Sequence, residues 1–232
     1  MSTARSIARA VVLAGAALLP LAAQAASVKF IGWNVNTTGS RNVNVNAPYA
    51  SARDVPAGEF NIQIDGGANT SFCIELTQFI GFGSTYTDYT LGPAATRFDS
   101  FQMGLLSKLY ENHLTESRSS NQNSQAFQIA VWEIAYDGAN GLDAGSYLTN
   151  GNFAMTSGQF NPGTAGATAS LWLTNLATAK AGSWNFQVLA SGSNQDQLIA
   201  DRTPVPVPAS ALLLGAGLGL LGLRRWRASR AA

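Results

Sequence analysis

The pattern of apolar and polar positions divides the chain into strands, then helices, then strands. Alternation with a period of two predicts strands at residues 28–33, 60–64, 70–77, 86–91, 184–190 and 197–200. Apolar residues at helical spacing predict helices over residues 97–113, 125–136 and 168–178. The asparagine-rich stretch 34–46 is expected to be a loop or an irregular edge. This order predicts an α+β fold in one domain, in which a β-rich lobe carries a helical insertion.

The second predicted helix places a glutamine beside a tryptophan. Its apolar face is formed by Phe127, Ala130, Val131, Ile134 and Ala135. Gln128 lies about 100° around the helix axis from Phe127, and Trp132 follows it four residues later on the same flank. The pattern therefore predicts that Gln128 lies at the edge of the buried stripe, next to a large aromatic side chain.

The beginning of the chain has the pattern of a secretory signal peptide. Arg5 and Arg9 precede an apolar run over residues 10–19, and a small-x-small site ends at Ala25. We predict that residues 1–25 are removed by signal peptidase after Ala25, so that a domain of residues 26–202 follows. An uncleaved membrane anchor is the alternative, although the apolar run is short for a bilayer.

The end of the chain has three parts. A proline-rich motif containing Pro206, Val207 and Pro208 precedes an uncharged stretch over residues 211–223, and four arginines follow. As a helix, residues 209–223 would span about 22 Å, which is short for a hydrocarbon core of about 30 Å. The arginines would stay on the inner side of the membrane. A plain C-terminal membrane anchor would share these properties.

This arrangement resembles the PEP-CTERM sorting signal that exosortases read in Gram-negative bacteria that make exopolysaccharide. Val207 stands where the family name implies glutamate, and a V-P-x-P-A form with an apolar middle residue is a known variant. The resemblance implies that residues 203–232 are a sorting tail with a transmembrane helix, processed by an exosortase. It also implies export through the inner membrane, transient anchoring, and release to the cell surface or a biofilm matrix.

Composition bounds the function of the central domain. Residues 26–202 hold eight basic and thirteen acidic residues, a formal charge of −5, so the +1 charge of the whole chain arises from its two ends. No basic patch indicates nucleic acid as a partner. One cysteine and one histidine supply too few soft ligands for a metal. We therefore expect neither a metal nor a cofactor.

Cys73 is the only cysteine, and a single cysteine in an exported chain cannot form an internal disulfide. Three interpretations of the residue are a buried inert thiol in a passive matrix protein, an intermolecular disulfide, and a dyad with His113. His113 is the only histidine. It follows Leu109 on the apolar face of its helix, which favours a structural role.

A fourth interpretation rests on a resemblance. The run Phe72-Cys73-Ile74-Glu75 is followed by Gln128-Ile129-Ala130-Val131-Trp132. This order resembles the Cys–Gln thioester domain of bacterial surface adhesins, which places its glutamine in a T-Q-x-A-[IV]-W run. Phe127 stands where that family has threonine. The segment 193–197 is also similar to such proteins. The resemblance implies that Cys73 and Gln128 condense into an internal thioester.

The chemistry explains why these two residue types are needed. A primary carboxamide is a poor acyl donor, and attack by a thiol with loss of ammonia converts it into a thioester, which can acylate an amine or a hydroxyl group of a partner. Phe72 and Trp132 are candidates to shield the bond from water. Glu75 is a candidate helper because it shares a face with Cys73 in a regular strand.

We therefore predict an exported adhesin-like surface or matrix protein that reacts once and is not an enzyme, with an unidentified nucleophile as its partner. The alternative is a non-reactive structural protein of an exopolysaccharide matrix that carries the same sorting signal.

Overall fold

Strands come first and last along the chain, and the helices lie between them. The computed structural model of the protein describes residues 24–35, 41–140 and 147–203. The strands of these ranges are β1 (Gln24–Trp33), β2 (Asn42–Ala47), β3 (Arg53–Pro56), β4 (Phe60–Ile64), β5 (Gly67–Cys73), β6 (Thr85–Pro93), β7 (Ala154–Met155), β8 (Trp184–Ala190) and β9 (Gln197–Arg202). The helices are α1 (Ser100–Ser117), α2 (Asn121–Asp137) and α3 (Ala165–Asn175).

Six of the strands close into an antiparallel barrel in the order β1-β4-β5-β9-β8-β6. Along β1, Ala26, Val28 and Phe30 are buried and alternate with more exposed residues, so one face of the strand lines the core. The helical segment lies between β6 and β8, which pair with each other. The prediction of a mixed helix and strand fold in one domain, with a β-rich part, is confirmed.

A second sheet has the order β3-β2-β7. Its central strand corrects the expectation that residues 34–46 form a loop, because Asn42–Ala47 is regular strand. Val43 and Val45 are buried and alternate with three asparagines. The weak strand propensity of asparagine concealed this period of two. Burial of the valines therefore decided the conformation.

All three predicted helices exist, with shifted boundaries. Helix α1 begins at Ser100 because Asp99 accepts the backbone N–H of Gln102 and the Gln102 side chain accepts the N–H of Asp99, a reciprocal capping box. Ser120 caps α2, which begins four residues before the predicted start, and Thr164 caps α3. Gly138 is the C-cap of α2, close to the predicted end at residue 136. The caps, rather than the apolar periodicity, set where each helix begins.

Helix α2 is the central element of the core, since it packs against α1, α3 and β5. Every residue from Ser124 to Ile134 is buried. The prediction that Gln128 lies at the edge of a buried stripe is therefore wrong, because its exposure is only 1%. The ring of Phe127 lies 4.6 Å from that of Phe72 and 5.0 Å from that of Tyr110, which joins the helices to the barrel.

A buried ion pair fixes the end of α1 to the start of β4. The carboxylate of Glu59, whose side chain is 1% exposed, accepts hydrogen bonds from two nitrogens of the Arg118 guanidinium and from Asn34. Arg118 itself is 43% exposed. A carboxylate removed from water in this way is stable only while its partners remain.

The predictions for the two ends of the chain lie mostly outside the described residues. Residues 1–23 of the signal peptide and the sorting motif Pro206, Val207 and Pro208 are not among them. Gln24 and Ala25 pair with β6, so cleavage after Ala25 would shorten β1 by two residues. No helix in the three described ranges is long and apolar enough to cross a membrane.

The Glu59–Arg118 pair gives a test of this packing. We expect Arg118→Ala to lower the free energy of unfolding by about 2 kcal/mol, below the usual cost of breaking a buried pair because water can reach the vacated site. Chemical denaturation measures the change. Arg202→Ala is the matched control, because its pair with Glu111 is more exposed and should contribute less than about 1 kcal/mol. Equal losses in the two variants would contradict the assignment.

Candidate functional site

Cys73 lies at the point where β5 extends beyond its neighbour. Phe60 pairs with Ser71, and the same register would place Gly58 opposite Cys73. The chain leaves the sheet at Gly58, whose φ is +147° and whose Cα faces the hydroxyl of Ser124 so closely that a Cβ would lie 3.0 Å from it. The backbone N–H and C=O of Cys73 on this side therefore have no strand partner.

The side chain of Gln128 takes the place of the missing strand. Its Oε1 accepts the N–H of Cys73 at 3.0 Å, and its Nε2 donates to the C=O of Cys73 at 2.7 Å. These two contacts fix which amide atom is oxygen and which is nitrogen. Both residues are buried, with exposures of 2% and 1%. The two predicted partners of the thioester are thus brought together, 55 positions apart in sequence.

Gln128 belongs to a row of side chains spaced four residues apart along α2. Ser124 accepts the N–H of Glu59 just before the start of β4, and Tyr136 accepts the N–H of Leu76 beyond β5. Trp132 lies between Gln128 and Tyr136, beside the Cys73 sulfur. One face of the helix therefore contacts the start of β4, Cys73 and Leu76 in turn.

The thiol of Cys73 is neutral in this environment. Burial raises the pKa of Cys73 to about 12, and the indole N–H of Trp132 and the backbone of Glu75 oppose this rise only in part. The indole nitrogen has no acceptor with good hydrogen-bond geometry among the described residues, so its contact with the sulfur is weak. It would strengthen as negative charge develops on the sulfur.

Glu75 is positioned by its backbone rather than by strand alternation. Strand β5 ends at Cys73, so the predicted strand over residues 70–77 is too long, and the regular geometry that would align Glu75 with Cys73 is absent. The backbone carbonyl of Glu75 accepts a hydrogen bond from the thiol of Cys73, and the carboxylate of Glu75 accepts one from the hydroxyl of Thr77. A helper role for the carboxylate stays a prediction.

The predicted pocket residues occupy different sides of β5. Trp132 lies beside the sulfur, in line with the shielding role predicted for it. Phe72 points to the opposite face of the strand, where it packs on Phe127 and Tyr110. Phe72 therefore supports the strand and the helix, and the structure does not place it in a wall around the sulfur.

The turn before β9 closes the site from the other side. Gln195 donates to the carbonyl of Glu75 at 2.9 Å, and the carbonyl of Asp196 accepts the N–H of Ile74 at 3.0 Å. Asp88 anchors this turn by accepting hydrogen bonds from Ser191, Ser193 and Asn194. Residues 191–197 thus hold the segment that follows Cys73.

His113 is engaged elsewhere. Its ring stacks on Trp172 with centroids 4.6 Å apart, and its Nδ1 lies 3.5 Å from the carboxylate of Glu116. Within the described ranges no hydrogen bond joins it to Cys73, which leaves the dyad without geometric support. In the same ranges no group of three or more His, Cys, Asp and Glu side chains is arranged to hold a metal ion.

Three residues that surround the site were not individually predicted as site residues. Tyr49 donates to the carbonyl of Leu76, and Tyr136 accepts the N–H of the same residue. Gln197, on β9, pairs with Cys73 and is fully buried. The signal for Tyr136 was available, because Ser124, Gln128, Trp132 and Tyr136 recur every four residues. Tyr49 had no such signal, since it comes from a distant loop.

Comparisons with known proteins identify no relative. A scan against protein-family models finds no match to this chain, and searches of curated proteins and of solved structures find none either.

The residue after Trp132 is a buried acid. Glu133 is 3% exposed, and its Oε2 has no hydrogen-bond partner in the described part of the chain. Burial raises the pKa of Glu133 to about 8; the backbone of Leu148 opposes the rise and Asp137 adds to it. At a pH between these two values, Glu133 is therefore protonated in the folded protein and ionised in the unfolded chain, where its pKa is near 4.5.

This difference predicts how stability depends on pH. Between about pH 4.5 and pH 8 the folded state binds more protons at Glu133 than the unfolded state, so stability falls as pH rises through this window. The wild-type Tm should fall between pH 5 and pH 8, and we expect this fall to be smaller in Glu133→Gln by at least about 2–4 °C. That difference corresponds to about 1 kcal/mol for a domain of this size. Scanning calorimetry of both proteins measures the slope. Asp201→Asn, at an exposed position, should keep the slope of the wild type, and an unchanged slope in Glu133→Gln would contradict the argument.

Proposed function

We propose that this protein is an exported surface or matrix protein in which Cys73 and Gln128 form an internal thioester that bonds covalently to an amine or hydroxyl group of a partner. The observation that supports the proposal is the position of the Gln128 carboxamide. Both of its polar atoms are held by the backbone of the residue that carries the thiol, in a site closed to water.

The condensation balances without a co-reactant. The sulfur of Cys73 attacks the Cδ of Gln128, the S–C bond forms, and the C–N bond breaks. The thiol proton leaves with the nitrogen as ammonia. In the second step an amine or hydroxyl group attacks the same carbon, the C–S bond breaks, and the proton of the nucleophile returns to the sulfur. The protein reacts once and is not regenerated, so it is not an enzyme.

The hydrogen bonds suit this reaction. The N–H of Cys73, 3.0 Å from Oε1, would stabilise the negative charge that develops on this oxygen in the tetrahedral intermediate. One such donor contributes about a hundredfold or more to the rate in related acyl transfers. The bond from Nε2 to the carbonyl of Cys73 holds the leaving nitrogen until it departs. Fixing both groups in the folded domain replaces an encounter in solution.

The surroundings favour persistence of the product. A neutral thiol and an uncharged amide can remain buried without an ionic partner, and the same burial excludes the water that would hydrolyse the thioester. Trp132 and the turn of residues 191–197 supply this closure. Glu75 contributes its carbonyl as the acceptor of the thiol proton, and we propose its carboxylate as a helper in moving that proton.

Export and sorting complete the proposal. A signal peptide cleaved after Ala25 would bring the domain across the inner membrane of a Gram-negative cell. The tail with Pro206, Val207 and Pro208 would anchor it until an exosortase processes it. The protein would then lie at the cell surface or in the extracellular matrix, where a reactive acyl group finds amines and hydroxyls.

A second candidate function is favoured by the same carboxamide. Gln128 satisfies two buried backbone groups, and this alone explains a glutamine at the position. The thiol, whose pKa burial raises to about 12, would then be inert. In that case the protein is a non-reactive structural component of an exopolysaccharide matrix with the same sorting signal.

Intact mass separates the two functions. We expect the exported protein, expressed as the full chain, to weigh about 17 Da less than the mass calculated for its processed sequence, because one ammonia is lost. Methylamine should add to this form and release a thiol that alkylating reagents then label. Mass spectrometry before and after methylamine treatment measures both changes.

Two variants serve as controls. Cys73→Ser keeps the size of the side chain and removes the sulfur, and Gln128→Glu keeps the shape of the carboxamide and removes the nitrogen that is lost. Neither should show the deficit or the adduct. A full calculated mass in the wild type, with an intact glutamine at position 128 by peptide mapping, would leave the passive matrix protein as the function.

A further inference from the structure

Two pockets flank the segment that follows Cys73, and we refer to them together as the groove. One end is an open cleft of about 710 Å³ lined by Tyr49, Tyr136, Arg97 and Asn152 among others. The other end is a separate, smaller apolar pocket of about 100 Å³. The aromatic side chains that line this pocket are Trp33, Phe60, Phe79 and Phe82. The guanidinium of Arg53 lies between the two ends, 5.2 Å from the ring of Tyr49 and 5.1 Å from that of Phe79.

Cys73 and Gln128 line neither pocket, but residues of both pockets contact the backbone that follows Cys73. The hydroxyls of Tyr49 and Tyr136 hold the carbonyl and the N–H of Leu76, three residues after Cys73. Burial raises the pKa of both phenols. At the other end, Gln195 lines the apolar pocket and contacts the same Glu75 carbonyl that accepts the thiol proton.

The exposed charges of the groove are positive. Arg53 and Arg97 are exposed. The side chain of Arg97 makes no hydrogen bond or ion pair with another described residue. Burial raises the pKa of Asp196, and the positive charge of Arg97 partly opposes that rise. The nearby acids are already engaged. Hydrogen bonds from Thr77, Asn152 and Ser191 reach the carboxylates of Glu75, Asp137 and Asp196, respectively.

The aromatic surface is accessible as well. Phe79 is 55% exposed and Phe82 is 46% exposed, and both line one pocket with Trp33, a grouping of accessible aromatics that is typical of a surface that binds a partner. Aromatic faces that alternate with guanidinium groups match a chain of sugar rings that carry carboxylates. The rings stack on the aromatics, and arginine binds carboxylates in bidentate pairs.

We propose that this groove binds an acidic polysaccharide and presents one of its hydroxyl groups to the thioester. The inference rests on the proposed function, and it specifies the partner. The hydroxyl oxygen attacks the acyl carbon derived from Gln128, the C–S bond breaks, and the hydroxyl proton passes to the Cys73 sulfur, which leaves an ester.

Binding is tested first without the covalent step. The protein is expressed as the full chain with Cys73→Ser, purified as exported, and titrated at low salt with polymannuronate and with neutral dextran. We expect it to bind polymannuronate and not dextran, with an affinity that falls as salt rises. A domain of formal charge −5 repels a polyanion as a whole, so this binding must come from a local cationic site.

Variants locate the site. We expect Arg97→Ala and Arg53→Ala each to weaken the binding of polymannuronate about tenfold, as for the loss of a charge-assisted hydrogen bond. Arg202→Ala is the matched control, since Arg202 is also an exposed arginine over an aromatic ring, that of Trp184, but does not line the groove. It should bind like the parent protein.

The outcomes separate this proposal from the previous one. A polymannuronate ester at residue 128 of the wild-type protein, absent in Arg97→Ala although methylamine is still captured, supports the inference. Capture of methylamine without binding of polymannuronate, or equal binding of dextran, overturns the groove proposal and leaves the thioester standing. Binding of polymannuronate without a mass deficit in the wild type keeps the groove as a binding site and overturns the thioester and the ester step.

Discussion

The carboxamide of Gln128 pairs with the end of strand β5 where that strand extends beyond its neighbour β4, and the arrangement of the site depends on this contact. Strand β5 continues to Cys73, beyond the position where the antiparallel strand β4 begins, which leaves a buried N–H and a buried C=O to be satisfied. Unsatisfied backbone groups cost about 1–3 kcal/mol each. A glutamine side chain has one acceptor and one donor at the spacing of a peptide group, so it can replace the missing strand residue.

This contact sets the position of α2 against the barrel. With Gln128 fixed at Cys73, the helical repeat places Ser124 at the start of β4 and Trp132 at the sulfur. The next turn places Tyr136 at Leu76, in the irregular chain after β5. There the backbone again lacks a strand partner, and again side chains supply the hydrogen bonds. The same physical requirement thus accounts for the glutamine beside the cysteine and for the two tyrosines beside the groove.

The same arrangement contributes to the stability of the site and supports its proposed reactivity. The hydrogen bonds that satisfy the backbone of Cys73 also orient an amide carbon toward the residue that carries the only thiol, and the packing that buries α2 excludes water from both. The passive and the reactive functions share the whole of this structure. They differ in whether the C–N bond of Gln128 is broken, and that depends on how readily a thiol whose pKa is about 12 can give up its proton to the departing nitrogen.

Local patterns in the sequence determined most of the element types, and the resemblance to thioester domains supplied the candidate pair. Alternation revealed strand β5 with Cys73 on it, and the 3.6-residue repeat revealed α2 with Gln128 beside Trp132, because both signals depend only on neighbours along the chain. Only the tertiary structure decided that Gln128 is fully buried, that Phe72 faces away from the sulfur, and that Asn42–Ala47 is a strand. It also brought Tyr49 and Gln195 to the site from distant loops. These features depend on where β4 begins and on which face of α2 contacts it. Such contacts between distant segments produce no periodic pattern in the sequence.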